Sequence, residues 1–348
     1  MLKENFHINP DTLDFDLPPE LIAQEPLEKR DDARMMVLHR KSNQIEHKKF
    51  SDLPDYVSEN DVFVFNNAKV NQAKLEGEKP TGGKVTAILI APTADPQVWV
   101  SLLRPTVKEG QEFKLAGHLN AKVVGRASDG EYLVQFKEGN LFEEMQKNGR
   151  IPLPPYIKRE GNKTQDAKDR IYYQTVYAKN EGSVAAPTAG LHFTEDLISK
   201  IKKKGAVCIE VLLHVGWGTF KPLAGNVQDH KMPEEIFEVS FEDYEFLKNA
   251  KREGKRIISV GTTSTRTLES LSFSENSQTL KRGTSIFIRP GYQFKWVDAL
   301  ITNFHVPRST PVSLTAAFSG LRLLEKAYEE AIQKKYRFFS YGDGMIIL

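Results

Sequence analysis

The chain has one cysteine, Cys208, so no intrachain disulfide can form and a disulfide-stapled scaffold is excluded. Cys208 sits in an apolar strand pattern and reads as a small buried hydrophobe, not a nucleophile. No apolar run approaches the roughly 20 residues of a membrane span. The opening Met1-Leu2-Lys3-Glu4-Asn5-Phe6-His7 is too polar for a secretory leader, so no membrane association and a cytoplasmic location are expected. Charge of either sign is in short surplus: 48 Lys and Arg against 46 Asp and Glu leave a net +2. That balance neither demands nor excludes nucleic acid, and any basic footprint must be local. There is no G-x-x-x-x-G-K-[ST] loop and no strand-borne G-x-G-x-x-G, which disfavours the standard NTP and dinucleotide folds. The histidines form no H-x-x-x-H pair and there is no C-x-x-C, so no metal is expected. Internal repeats and low-complexity segments are also missing.

What is present is ordinary in bulk: 348 residues, 40% hydrophobic and 27% charged, enough for two domains and a sizeable core. The unusual stretch runs from Ser183 to Leu223. It opens with Ser183-Val184-Ala185-Ala186-Pro187-Thr188-Ala189-Gly190-Leu191-His192-Phe193-Thr194 and closes with Leu213-His214-Val215-Gly216-Trp217-Gly218-Thr219-Phe220-Lys221-Pro222-Leu223. Each end sets a histidine beside glycine, threonine and an aromatic residue. Glycine lets backbone approach a ligand, hydroxyls bond it, and an aromatic face stacks on it. Two tight turns around a buried strand, with satisfied core histidines, would look similar at either end alone. The pair of ends, joined by one helix–strand unit, favours a site.

Residues 1–68 read as α/β. Leu17–Ala23 predicts a short helix, Arg34–Arg40 a strand, Phe50–Val57 a capped turn, and Asp61–Asn67 a continuous apolar, fully buried strand with polar residues at its tip. Residues 69–150 change texture to short alternating segments, Lys84–Ile90, Val98–Leu103, Gln111–Leu115, Ala121–Gly125 and Tyr132–Phe136, with a hairpin signal at Asp129-Gly130. This predicts a small all-β barrel inserted into a discontinuous α/β domain made of 1–68 and 151–348. Ile151–Tyr156 reads as a rigid extended linker and Glu160–Lys168 as a mobile polar stretch. Beyond it, Thr194 caps a helix to Lys204, Ala206–Val215 is a strand, and Glu235–Ser240 is another. Arg256–Gly261 is a strand that turns through Thr262–Arg266 into a helix over Thr267–Leu271. Strands are also expected at Ser285–Ile288, Trp296–Thr302 and Tyr336–Tyr341, with a long helical pattern over Thr310–Lys335 weakened by Pro311 and Gly320. Alternating strands and helices make the main domain α/β with a mixed sheet.

Four further clusters carry candidate chemistry. Gly261-Thr262-Thr263-Ser264-Thr265-Arg266 offers free N–H groups, hydroxyls and a guanidinium to a carboxylate or phosphate, unless these are plain Thr/Ser caps. Thr302-Asn303-Phe304-His305 and the nearby Arg308 follow a strand and bring an amide, an imidazole and a guanidinium into one loop. Asp229-His230 and Ser340-Tyr341-Gly342-Asp343 add carboxylates. Three histidines in Gly/Thr/Asn-rich loops, His192, His214 and His305, point to acid–base work or ligand binding. Basic runs at Lys147–Arg150, Lys158–Arg159, Lys200–Lys204, Lys251–Arg256 and Lys334–Arg337 are solvated faces singly and a phosphate-tracking surface if they gather.

These residues, with Phe15–Pro18, Leu21–Leu27, Thr81–Lys84, Ile151–Arg159, Tyr173–Ala178 and Arg337–Asp343, occur in one order along essentially the whole chain. In that order they resemble the S-adenosylmethionine:tRNA ribosyltransferase-isomerases of queuosine biosynthesis. The resemblance implies an α/β domain with an inserted β-barrel. It also implies transfer and isomerisation of the ribosyl group of S-adenosylmethionine onto 7-aminomethyl-7-deazaguanine at the tRNA wobble position, giving epoxyqueuosine, adenine and methionine. S-adenosylmethionine is then a consumed substrate, no cofactor is needed, and the partner is a tRNA with a GUN-type anticodon. With no association motif, the expected state is a monomer.

On matched positions the expected catalytic set is His192, His214, His305 and Asp343. His214 or His192 would be acid/base near ribose and adenine, and Asp343 would contact the acceptor amine. The Thr262, Thr263, Ser264 and Arg266 turn would hold an anionic group, and Asn303 with His305 the ribose or acceptor base. Thr188, Gly190, Gly216 and Thr219 complete the expected binding set. Where the family usually has Asn-Asp-Thr-Arg-Val this chain has Asn66-Asn67-Ala68-Lys69-Val70, and where it has His-Lys-Met-His this chain has His230-Lys231-Met232-Pro233. Two alternatives stay open on sequence: a divergent paralogue acting on another RNA base, and a non-catalytic tRNA-binding protein.

Overall fold

The computed structural model describes residues 13–128, 130–137, 140–159, 163–216, 223, 227, 230–275 and 279–348. Strands β1 (Arg34–His39), β2 (Gln44–Lys49), β3 (Asp61–Asn66) and β4 (Ala68–Val70) precede the barrel. The barrel comprises β5 (Lys74–Glu78), β6 (Lys84–Pro92), β7 (Val98–Arg104), β8 (Glu112–Leu115), β9 (Leu119–Ser128) and β10 (Glu131–Phe136). After it come β11 (Asn180–Ser183), β12 (Val207–Leu213), β13 (Glu235–Ser240), β14 (Arg256–Val260), β15 (Thr279–Thr284), β16 (Ala299–Asn303) and β17 (Gly344–Ile347). Helices are α1 (Leu141–Asn148), α2 (Lys163–Tyr172), α3 (Glu195–Lys203), α4 (Phe241–Arg252), α5 (Gly261–Glu269), α6 (Thr310–Ser319) and α7 (Leu321–Gln333).

Nine strands form one mixed sheet in the order β15-β13-β12-β3-β14-β16-β17-β1-β2. Its centre is parallel, with β12, β3, β14 and β16 side by side. Strand β3 explains why the sheet is covered on both faces. All six of its residues are buried, and the period of two splits them. Val62 and Val64 pack with Tyr244 and Leu247 of α4, Leu314 of α6 and Leu324 of α7. Phe63 and Phe65 point the other way, into Leu197 and Ile201 of α3 and Phe50 and Leu53 of a 3-10 turn. Strands β5 to β10 close into a six-stranded antiparallel barrel with its own core, including Trp99, Phe113 and Val134. The architecture is therefore α/β with a large mixed sheet plus a closed β-barrel, and no helix among the described residues is long and apolar enough to cross a membrane.

Several local expectations change. Glu160–Lys168, read as mobile, overlaps α2, whose polar surface is tied down: Asp166 bonds Arg150 Nε at 3.0 Å, and Asp169 takes Arg159 Nε at 2.7 Å, Arg159 Nη2 at 2.9 Å and Tyr341 Oη at 3.0 Å. Leu17–Ala23 contains only a 3-10 turn at Pro19–Leu21. The helix placed at Thr267–Leu271 begins six residues earlier, at Gly261, so Thr262–Arg266 are its first turns. Thr310–Lys335 is two helices split at Gly320, whose φ of 83° is left-handed. Tyr336–Tyr341 is irregular because it wraps Asp343, and the last strand is Gly344–Ile347 instead. The strand expected at Ser285–Ile288 is displaced to β15. Besides these displaced strands, β2, β4, β5 and β11 escaped sequence reading, each too short or too polar to carry an alternating signal.

The Asp169 cluster predicts a measurable asymmetry among ion pairs. Asp169 and Arg159 are almost fully buried, whereas Lys69 and Glu181 are half exposed. In urea unfolding, Asp169→Ala is expected to lose about 3–5 kcal/mol by leaving a buried guanidinium unpaired. Lys69→Ala is expected to lose under about 1 kcal/mol. Equal losses would contradict the assignment of the Asp169 cluster as the clamp on α2.

Candidate functional site

The carboxyl ends of parallel strands are where α/β sheets bind ligands, since the chain there turns away from the sheet and leaves a crevice. A cavity of about 660 Å³ opens there, within the roughly 300–1,000 Å³ range of small-molecule sites. Gly261, Thr262 and Thr263 line it just past β14, and Thr302, Asn303 and His305 line it at the end of β16. Thr188 and Ala189 enter from the segment before α3, Pro155 and Tyr156 from the presumed linker, and Ser309 and Pro311 from the start of α6.

One buried amide aligns these pieces. Asn66, at the tip of β3, donates to Leu213 O at 3.0 Å and Thr263 Oγ1 at 3.1 Å. Its Oδ1 accepts from Ala68 N and from Leu213 N, each at 3.1 Å. Two donors and two lone pairs are all used. Asn303 is fixed similarly: Oδ1 accepts from Thr188 Oγ1 at 2.9 Å, and Nδ2 donates to Phe339 O at 3.2 Å.

Two helix N-termini meet at the cavity. Val260 is the N-cap of α5 and offers no side-chain cap. Ser309 is the N-cap of α6, but its hydroxyl donates to Val306 O at 2.6 Å and does not cap the helix. First-turn N–H groups lack intrahelical partners, and with the aligned peptide dipoles they favour an anion, Pro311 leaving α6 one such donor fewer. No Asp or Glu lines the cavity among the described residues. His305 is the imidazole that does. Its ring opens partly to the cavity but lies deep in the protein, and burial pulls its pKa from 6.5 to about 3. It is neutral at pH 7, with Nε2 2.6 Å from Thr302 Oγ1 and its backbone N–H donated to Tyr328 Oη at 2.9 Å.

The structure brings together Thr188, Thr262, Thr263, Asn303 and His305 and leaves the other expected residues that are described outside. His192 is buried beneath the site, stacked on Phe50 at 4.0 Å, with Nδ1 3.1 Å from Ala189 O and Nε2 3.0 Å from Gly342 O, of which the neutral ring donates to one. Asp343 is likewise buried, and the expectation that it touches an acceptor amine does not fit. It accepts from Arg34 N at 2.9 Å, Arg34 Nε at 3.0 Å and Arg337 N at 2.8 Å. Ser264 turns its hydroxyl back to Val260 O at 2.9 Å, one helical turn away. Arg266, one and a half turns into α5, is buried against Glu235, so its charge is already matched. Gly190 packs where a Cβ would lie 1.9 Å from Tyr177 Oη, a packing role. Gly216 donates its N–H to Glu235 Oε1 at 2.9 Å. His214 is half-buried over Gly182, outside the cavity wall, its Nδ1 without a hydrogen-bond partner among the described residues. Thr219 and Asp229 lie outside the described residues, as does Asp129 of the hairpin signal.

Sequence reading missed Arg104, Pro155 and Tyr156. The Pro-rich run signalled a linker, yet the same stiffness makes it a wall, with Tyr156 Oη held 2.7 Å from Ser340 Oγ and its pKa raised to about 12 by burial. Arg104 comes from the barrel and had no local signal at all. The Asn67 and Lys69 departures lie off the cavity. Asn67 donates to Glu210 Oε2 at 3.1 Å and accepts from Asn180 at 2.9 Å, and Lys69 pairs with Glu181 at 2.9 Å. An aspartate at 67 would face Glu210, so the amide suits this neighbourhood.

Comparison with known proteins matches the description Queuosine biosynthesis protein over residues 11–347. Curated proteins named S-adenosylmethionine:tRNA ribosyltransferase-isomerase, from Thermotoga maritima and Thermotoga petrophila, are each 47% identical over 341 residues, covering 96% of this chain and 98% of the relative. A solved structure titled S-adenosylmethionine tRNA ribosyltransferase, from Thermotoga maritima, is similar with a TM-score of 0.55 and 36% identity, covering 96% of this chain and 99% of that one.

Buried His305 predicts acid sensitivity. It is held neutral by burial, whereas the unfolded chain protonates it near 6.5. The unfolded state therefore binds more protons below that pH, and stability falls as pH drops from 6.5 towards 3 by about 1.4 kcal/mol per pH unit. Urea unfolding between pH 6.5 and 5 should give a slope about 1.4 kcal/mol per unit shallower for His305→Gln than for the unsubstituted protein. An unchanged slope would mean that the imidazole is not held neutral.

Proposed function

The chain belongs to the queuosine biosynthesis protein family and is a transferase of the S-adenosylmethionine:tRNA ribosyltransferase-isomerase type, and on that premise we propose its substrates, products and residue roles. It moves and isomerises the ribosyl group of S-adenosylmethionine onto the aminomethyl group of 7-aminomethyl-7-deazaguanine at the wobble position of a tRNA with a GUN-type anticodon. Adenine and methionine leave, and epoxyqueuosine remains in the tRNA. The enzyme acts in the cytoplasm as a monomer, with S-adenosylmethionine consumed as a substrate.

The observation that carries this reading is a cavity with no Asp or Glu among its described lining, where two helix N-termini without side-chain caps meet one neutral imidazole. The N–H groups opening α5 and α6 receive the methionine carboxylate. With no Asp or Glu of the described wall facing it, the sulfonium keeps its full pull on the adjacent C5′ hydrogens. His305 is the base for one of them, in the tautomer whose Nε2–H faces Thr302 Oγ1 and whose Nδ1 carries the lone pair, with the ring unprotonated at pH 7. Thr188 and Asn303 bond the ribose hydroxyls, while Pro155, Tyr156 and Phe339 supply apolar surface for the adenine. His192 and Asp343 support this wall from behind and touch no ligand.

Two measurements test it. With S-adenosylmethionine and tRNA carrying 7-aminomethyl-7-deazaguanine, mass spectrometry should find released adenine and epoxyqueuosine in the tRNA. His305→Gln should lower kcat about 10²–10⁴-fold and leave the KM for S-adenosylmethionine nearly unchanged. Full activity in that variant would remove His305 from the mechanism. Tight binding of the tRNA by the unsubstituted protein, without product, would favour a different acceptor base.

A further inference from the structure

Arg104 is the last residue of β7 and so belongs to the barrel, yet it lines the 660 Å³ cavity of the main body. It also lines a second space of about 890 Å³ between the barrel and the main body, and Pro155 is the other residue common to both. The two spaces adjoin at these residues. The outer one is lined by Lys74, Arg104, Arg150 and Arg159 among its cations. Arg150 is held by Glu76 at 3.1 Å and Asp166 at 3.0 Å, and Arg159 by Asp169 at 2.7 Å. Within the basic runs that suggested a phosphate-tracking surface, Lys200 pairs with Asp196, Lys251 with Asp298 and Arg256 with Asp61. Arg104 and Lys74 have no side-chain hydrogen bond or ion pair among the described residues, and Arg104 is exposed. An unpaired guanidinium at the mouth of a site is a fork-shaped donor aimed at no protein acceptor.

We propose that Arg104 is a positioning residue that grips a backbone phosphate of the tRNA beside the base being modified, with the strand leaving along the outer groove past Lys74. This rests on the function proposed above and specifies how its polymer substrate is seated. A phosphate fits better than the methionine carboxylate for two reasons. The carboxylate already has the buried N-termini of α5 and α6, whereas Arg104 stands exposed at the mouth. Arg104 also faces both spaces, as a contact to a chain passing from one to the other must. The barrel is thereby a functional half of the site.

The test is tRNA binding by the full-length protein, read by fluorescence anisotropy with a labelled GUN-anticodon transcript from 50 to 300 mM KCl. Arg104→Ala should weaken binding about tenfold at 100 mM salt and reduce the slope of log K against log salt by about 0.7–0.9, the loss of one phosphate contact. Arg104→Lys should keep the slope and lose about threefold in affinity, since the charge stays and the fork goes. The KM for S-adenosylmethionine, measured by adenine release, should stay within about twofold in both, and thermal melting should match the unsubstituted protein at this exposed position. A slope and affinity unchanged in Arg104→Ala would overturn the proposal, as would a raised KM for S-adenosylmethionine with tRNA binding intact. An unsubstituted protein that binds no tRNA overturns the underlying function and this inference together, and that outcome is visible before any substitution is made.

Discussion

The geometry of the cavity depends on the buried side chain of Asn66. A primary amide has two N–H donors and one oxygen with two lone pairs, and here all four are used, on β12, on β4 and on α5. Each group left unpaired at zero exposure would cost about 1–3 kcal/mol, so the arrangement is stiff. It sets where β3 stops, where β12 turns towards Val215, and how far the first turn of α5 stands from both. Thr263 is one of its partners, so the N-terminus of α5 is aimed by the same amide that ends the central strand.

Charge is arranged to complement that frame. Strong ion pairs are kept behind or beside the cavity: Asp343 with Arg34, Asp169 with Arg159, Arg266 with Glu235. The Asp343–Arg34 pair joins opposite ends of the chain, and all three pairs are matched before any ligand arrives. Inside the mouth marked by Arg104, the described wall has peptide dipoles, hydroxyls, an amide and an imidazole kept neutral by burial. Such a wall suits a substrate that brings both charges with it. A carboxylate finds N–H groups, and a sulfonium finds no described anion to quench it.

Legibility followed the strength of local signals. The break at the barrel, the buried strand β3 and the caps at Thr194 and Ser240 were readable because period, composition and side-chain chemistry agree there; Thr194 Oγ1 accepts from Leu197 N and Ser240 Oγ from Asp243 N, each at 3.0 Å. Strands β2, β4, β5 and β11 were silent because a short or partly solvated strand needs little apolar sequence. Of the site, Thr188, Thr262, Thr263, Asn303 and His305 were found because small polar residues cluster at strand ends. His192 and Asp343 stand in equally polar motifs yet serve as internal struts, since a motif does not reveal which way a side chain points.

The sequence by itself determined the class of the chain, the inserted barrel, the central apolar strand and the family resemblance, all of which rest on local pattern or on long ordered motifs. Tertiary structure alone decided which histidine faces the cavity, that Arg266 is neutralised by Glu235, and that Arg104 and Tyr156 belong to a site assembled from both parts of the chain. The reason is physical. Periodicity and turn chemistry act over a few residues, whereas burial, charge pairing and the convergence of strand ends depend on partners brought together across hundreds.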